Sequence, residues 1–159
     1  MKFVVPCVHE RAKQRIEQAV QLFAPQVDIA LIDGQSSLVL EACDQALVTS
    51  GTATLECALM KKPLVLAMIV HPLSYWIMKR LATTEWIGLP NILANKSLVK
   101  ELIQEEATPE KIALNMGKLI ADKELRETQV SEFSKQYHQL KQNASELAAD
   151  AIEEWAFKS

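Results

Sequence analysis

Ser50, Gly51 and Thr52 stand together at the end of an apolar run, with Thr54 and Glu56 close behind. A glycine has no Cβ, so its backbone can bend sharply and approach a ligand closely. If a helix starts here, its first turn offers N–H groups without intrahelical acceptors and the positive end of its dipole. With the hydroxyls of Ser50, Thr52 and Thr54 nearby, such a position suits a diphosphate. Glu56 lies about one turn further on, where a carboxylate can accept two hydrogen bonds from a ribose diol. The same residues also read as an ordinary helix start, with Thr52 as N-cap and Glu56 complementing the dipole. Spacing alone leaves both readings open.

Other chemistry-bearing residues carry weaker patterns. His71 precedes Pro72 at a strand end, where a neutral imidazole could meet a phosphate oxygen or simply sit in a loop before a helix-starting proline. His9 and His138 have no partners in sequence and read as surface residues, and Lys61-Lys62 reads as a solvated turn. Glu105, Glu106 and Glu110 read as helix-end charges. The segment L-S-Y-W-I-M-K-R-L at 73–81 either touches lipid head groups, with aromatics buried and cations snorkelling, or packs as a core helix. Cys7, Cys43 and Cys57 are odd in number and widely spaced, which reads as reduced thiols of a cytosolic protein rather than a metal site or disulfide framework. Only four glycines are present, too few and too scattered for a G-x-G-x-x-G or Walker loop.

These residues need elements to position them. Residues 2–5 form a β-rich start stopped by Pro6. A helix follows over 10–23, with Ala12, Ile16, Ala19, Val20 and Phe23 on one face. A second strand spans 27–32 and ends at Asp33-Gly34. Ser36 or Ser37 caps a short helix through Cys43. A third strand at 46–49 enters the Ser50–Gly51–Thr52 loop, a helix covers about 53–60, and a fourth strand covers 64–69. This alternation predicts an α/β fold of the doubly wound kind, a mostly parallel sheet with helices on both faces. The apolar runs at 29–32 and 64–70 read as strands buried on both sides. Beyond them the reading is a helix from Pro72, an extended piece over 86–93, a helix over 97–104, and a capped helix from Thr108-Pro109 to about Ala121. A long amphipathic C-terminal helix then runs over 123–155, with Phe133, Tyr137, Leu140, Ala144, Leu147 and Ala151 on one face.

Composition bounds the function. At 159 residues with 49% hydrophobic and 23% charged side chains, the chain can bury the core of about one domain. A net charge of −3 argues against a general nucleic-acid binder. The longest apolar run falls well short of the ~20 residues that span a bilayer. The N-terminal residues do not resemble a secretory signal.

Specific segments then add to the spacing. S-G-T-A-T-L-E at 50–56, P-L-S-Y-W at 72–76, L-P-N-I-L at 89–93 and V-K-E-L-I-Q-E-E-A-T-P at 99–109 occur in order. Together they resemble the lipid-A-disaccharide synthase family over nearly the whole chain. The resemblance implies a metal-independent, cofactor-free, inverting glycosyltransferase of Gram-negative bacteria with two Rossmann-like lobes (the GT-B architecture). It transfers a diacylated glucosamine from UDP-2,3-diacylglucosamine to 2,3-diacylglucosamine 1-phosphate and releases UDP. It works in the cytoplasm, peripherally at the inner face of the inner membrane. Residues 1–159 would be the C-terminal nucleotide-sugar-binding lobe, lacking the N-terminal lobe that supplies the general base and the first, central strand of its own lobe. Carried over by position, Ser50, Gly51, Thr52 and Ala53 would contact phosphate, Glu56 would accept the ribose, and Asn91 would be a cleft residue. Where many family members carry a basic residue, this chain has Met68-Ile69-Val70-His71, and only His71 can substitute as a phosphate contact. The partners implied are UDP and UDP-2,3-diacylglucosamine, the N-terminal lobe, a membrane surface and a possible second copy of the chain, with no nucleic acid. Two other readings stand beside this one. The chain could be a non-catalytic module supplying the lobe in trans, or another UDP-sugar enzyme of the epimerase or peptidoglycan glycosyltransferase type.

Overall fold

The computed structural model describes residues 1–49, 51–81, 84–141 and 144–157. Alternating strands and helices open the chain: β1 (Phe3–Cys7), α1 (Glu10–Phe23), β2 (Ile29–Asp33), α2 (Ser36–Ala42), β3 (Ala46–Val48), α3 (Gly51–Leu59) and β4 (Leu64–Met68). There follow α4 (Pro72–Leu81), α5 (Leu89–Ala94), β5 (Lys100–Ile103), a 3-10 turn (Gln104–Glu106), α6 (Pro109–Ala121), α7 (Lys123–Leu140) and α8 (Ala144–Phe157). All strand pairs among the described residues are parallel, so the α/β expectation holds.

The strands form two sheets rather than one. β1 pairs with β2, and β3–β4–β5 form the other sheet. Among the described residues β1, β2, β3 and β5 each pair along one edge only. Pro6 lies inside β1 rather than ending it, because an edge strand tolerates a residue without an N–H.

β4 is the centre of the core. Leu64 and Leu66 point to one face and pack with Cys57, Ala58, Leu98, Val99 and Phe133. Val65 points to the other face and packs with Leu102 and Leu119. The two-residue repeat of a strand thus buries β4 on both sides, as its apolar run predicts. β2 does not follow: Ala30 is exposed and Ile29, Leu31 and Ile32 are only half-buried. Likewise α1 has its expected limits but no buried residue, and Phe23 is 80% exposed.

Three boundaries differ for physical reasons. The expected helix over 97–104 is β5 plus the 3-10 turn, because Val65 to Met68 of β4 take Lys100 to Ile103 as parallel neighbours. The expected extended piece over 86–93 contains α5, which Gly88 starts and Pro90 enters in its first turn. The long C-terminal helix is two helices, α7 and α8; Leu147 and Ala151 of the expected apolar face are exposed. In α7 the buried side chains are Gln129, Phe133 and Gln136. Gln129 accepts from Leu64 N at 2.9 Å and donates to Leu64 O and Leu98 O, bracing the start of β4. Gln136 donates to Pro90 O at 2.8 Å. Gln129 can be buried because both ends of its amide meet backbone partners, which an apolar count does not register, whereas only the NH2 end of Gln136 is paired.

Caps also moved. α2 starts after Gln35, which is left-handed at φ 54°, and has no serine side-chain cap. His9 caps α1, its Nδ1 accepting from Ala12 N at 3.0 Å. Lys62 is no idle turn lysine: its Nζ donates to Glu41 O and Cys43 O, both at 2.8 Å, at the C-terminal end of α2.

Candidate nucleotide-binding rim

β3, β4 and β5 run parallel, so their C-terminal ends form one rim. Ligands of open α/β sheets bind along such a rim. α3 starts there at Gly51, His71 follows β4, and Gln104 follows β5. The sequence candidates at 51–53 and His71 therefore share one edge of the sheet. Ser50 lies outside the described residues.

α3 begins at Gly51, two residues before the expected start, so Thr52 lies in its first turn and is not its N-cap. Thr52 is exposed, and Gly51 and Ala53 are half-buried. Thr54 is fully buried, and its hydroxyl donates to Gly51 O at 2.5 Å, so it belongs to the helix interior. Glu56 is exposed, four residues after Thr52 and three after Ala53. That spacing puts it on their face of the helix, and helical side chains lean back toward the N-terminus. A Cβ on Gly51 would meet Ile87 O at 3.8 Å, an ordinary contact. Packing therefore does not demand a glycine at this position.

The loop over 86–88 forms the wall beside Gly51. Glu101 on β5 holds it: Oε2 accepts from Ile87 N at 2.9 Å, and Oε1 accepts from Gly88 N at 2.9 Å. Asn91 completes the arrangement. Its Nδ2 donates to Val99 O and to Glu101 Oε1, each at 2.8 Å. Its Oδ1 accepts from Leu98 N at 2.9 Å and Val99 N at 2.7 Å. Both amide hydrogens and both oxygen lone pairs are spent, and the residue is fully buried. Asn91 is thus not a side chain that lines the cleft, as the sequence reading expects. It is the post that holds α5, β5 and the loop together.

A second brace holds the turn before α4. Gln104, left-handed at φ 53°, accepts from Val70 N at 2.8 Å and donates to Val70 O at 3.0 Å. His71 is exposed, and its Nδ1 accepts from Leu73 N at 3.3 Å in the first turn of α4. In the neutral ring that bond puts the proton on Nε2, which leaves a donor for an anion.

Sequence reasoning missed Glu101 and Gln104, because 97–104 reads as helical and its polar residues as helix surface, and missed Gly88, because 86–93 reads as extended. The usable signal was the apolar residues Val99, Leu102 and Ile103, set between Asn95 and the polar residues 104–106. Among the described residues, no group of three or more His, Cys, Asp or Glu side chains is placed to hold a metal ion.

A family model described as lipid-A-disaccharide synthetase matches residues 1–155. The chain belongs to the lipid-A-disaccharide synthetase family. It is 60% identical over 156 residues to a lipid-A-disaccharide synthase of Hydrogenovibrio crunogenus, covering 98% of this chain and 42% of that relative. The corresponding protein of Pseudomonas savastanoi pv. phaseolicola is 41% identical over 152 residues, covering 96% of this chain and 39% of the relative. That of an Enterobacter species is 39% identical over 156 residues, covering 98% and 41%. The chain therefore spans about two fifths of the length of the family members it matches. The four segments that carry the resemblance occupy the rim and its braces. G-T-A-T-L-E at 51–56 opens α3, P-L-S-Y-W opens α4, L-P-N-I-L lies in α5, and V-K-E-L-I-Q supplies Glu101 and Gln104.

Proposed function

We propose that the chain is the UDP-sugar-binding part of an inverting glycosyltransferase that makes lipid A disaccharide. The donor is UDP-2,3-diacylglucosamine and the acceptor is 2,3-diacylglucosamine 1-phosphate. The observation that carries this reading is the family match over residues 1–155, with Gly51 and Thr52 opening α3 at the C-terminal rim of a parallel sheet. The diphosphate sits at the first turn of α3 against Gly51, Thr52 and Ala53; Ser50, outside the described residues, is kept as a phosphate contact from the family resemblance alone. Glu56 accepts the ribose hydroxyls. His71 donates to a phosphate oxygen through Nε2. Fixed N–H groups and the positive end of α3 stabilise the charge that develops on the leaving UDP as the glycosidic bond breaks. No residue of this chain attacks the sugar. The base that activates the acceptor hydroxyl belongs to the remaining three fifths of the family members' length.

β1 and β3 are among the four strands with an unpaired edge among the described residues, which leaves room for a further parallel strand between them, supplied by that remainder. The acylated substrates bring the site to the inner face of the inner membrane. α4 supports that contact: Leu73 and Trp76 are 61% and 55% exposed, Arg80 stacks 5.0 Å over the Trp76 ring, and Lys79 lies in the last turn. No helix among the described residues is long and apolar enough to cross a membrane.

The test is reconstitution. The purified chain alone does not turn over the two acylated sugars. Mixed with a polypeptide covering the remainder of the Hydrogenovibrio crunogenus relative, it forms disaccharide and UDP. Turnover by the chain alone overturns the division of labour. Failure of the mixture, under conditions where the intact relative is active, overturns the assignment.

A further inference from the structure

We propose that Glu101 is a positioning residue for the nucleotide site, fixing the 86–88 loop against the start of α3 and so setting ligand affinity from β5. The proposal rests on the UDP reading of the rim. The basis is convergence. Three donors from two segments, Ile87 N, Gly88 N and Asn91 Nδ2, meet one carboxylate at 2.8–2.9 Å. Hydrogen bonds to a charged acceptor are the stronger kind, and two consecutive backbone donors fix both position and orientation of the loop.

Gly88 shows that the fit is tight. A Cβ there would lie 3.1 Å from Glu101 Oε1 and 3.4 Å from Leu66 Cδ2. Leu66 is a fully buried core residue, so the carboxylate is the part that would have to give. The clamped peptide then meets α3: Ile87 O lies 3.8 Å from where a Cβ on Gly51 would stand. Nothing in this chain of contacts touches a ligand through Glu101 itself. The carboxylate acts through the Ile87–Gly88 peptide on the space beside Gly51, where the diphosphate is seated.

The experiment uses the full chain and two readouts: amide hydrogen exchange at Ile87 and Gly88, and the UDP dissociation constant by calorimetry. In the wild type both amides exchange slowly. Glu101→Ala and Gly88→Ala each release both amides and raise the UDP Kd about tenfold. Glu101→Gln keeps one acceptor oxygen, so it gives an intermediate Kd and keeps the experiment decisive if the alanine variant folds poorly. Thr108→Ala serves as the control for lost stability alone. It removes the cap of α6, whose hydroxyl accepts from Lys111 N, and leaves the Kd unchanged. The proposal fails if the amides stay protected in Glu101→Ala, or if they are released and the Kd does not move. If the wild type does not bind UDP, the functional reading fails and this inference fails with it, whatever the amides show.

Discussion

Asn91 and Gly51 pull in opposite directions, and each can be tested by one substitution. Asn91→Ala strands Leu98 N, Val99 N and Val99 O in a fully buried setting. The expected cost is about 1–3 kcal/mol, read from urea unfolding. Gly51→Ala meets only the ordinary contact with Ile87 O, so unfolding free energy stays within about 0.5 kcal/mol while UDP binds several-fold more weakly. Weakened folding with intact binding would mean that Gly51 serves packing alone. Glu56→Ala, on the exposed face of α3, weakens UDP binding by about 1–3 kcal/mol. Unchanged binding in that variant would reduce Glu56 to a helix residue.

Cys57 supplies a pH-dependent prediction at the same scale. Burial, with smaller contributions from Cys43 and Glu56, pushes its thiol up to about 12. In the unfolded chain a thiol ionises near ~8.5. Below that pH both states keep the proton and the group is neutral toward stability. Between there and about 12 only the unfolded state ionises, so stability falls as pH rises. The thermal midpoint therefore drops more steeply above pH ~9 in the wild type than in Cys57→Ala. Parallel slopes would show that Cys57 does not titrate on unfolding.

Among the elements, those with strong local signals were legible. The Thr108-Pro109 start of α6 has its cap, with Thr108 accepting from Lys111 N at 3.3 Å. Pro72 opens α4, and the apolar run of β4 is buried on both sides. The errors cluster where distant contacts decide. β5 is a strand because β4 pairs with it and because Asn91 grips Leu98 and Val99, and neither cause is local in sequence. The buried face of α7 carries two glutamines that an apolar count skips, though their backbone partners lie on β4, on α5 and at Leu98. In the same way the proposed position at the start of α3 could be suggested from a strand end and a glycine, whereas the side-chain hydrogen bonds of Glu101 and Gln104 to backbone groups depend on partners 13 to 34 residues away. Gln129→Leu tests how much such a buried amide contributes. It leaves Leu64 N without its acceptor and is expected to cost about 1–3 kcal/mol, with the helix content of α7 retained. A variant as stable as the wild type would mean that the brace is dispensable.

At the level of the whole molecule, the division into two sheets separates a well-packed half from a thinly packed one. β3–β4–β5 carries both core clusters, whereas α1 buries no residue and Phe3 and Val4 of β1 are 41% and 43% exposed. Amide exchange in β1 and β2 is therefore expected to be faster than in β4 by orders of magnitude. Equal protection would mean that the first sheet is stabilised by something other than its own packing. β1, β2, β3 and β5 each have one unpaired edge among the described residues, so a strand supplied between β1 and β3 by the remainder of a family member should slow exchange at those two strands more than at β2 and β5.

We propose that the rim at the start of α3 binds uridine diphosphate. Calorimetric titration of UDP into the purified chain, with EDTA present, tests it most directly. Saturable one-to-one binding that weakens in Glu56→Ala and Gly51→Ala is expected. An absence of binding at millimolar UDP, or binding indifferent to both substitutions, would contradict it.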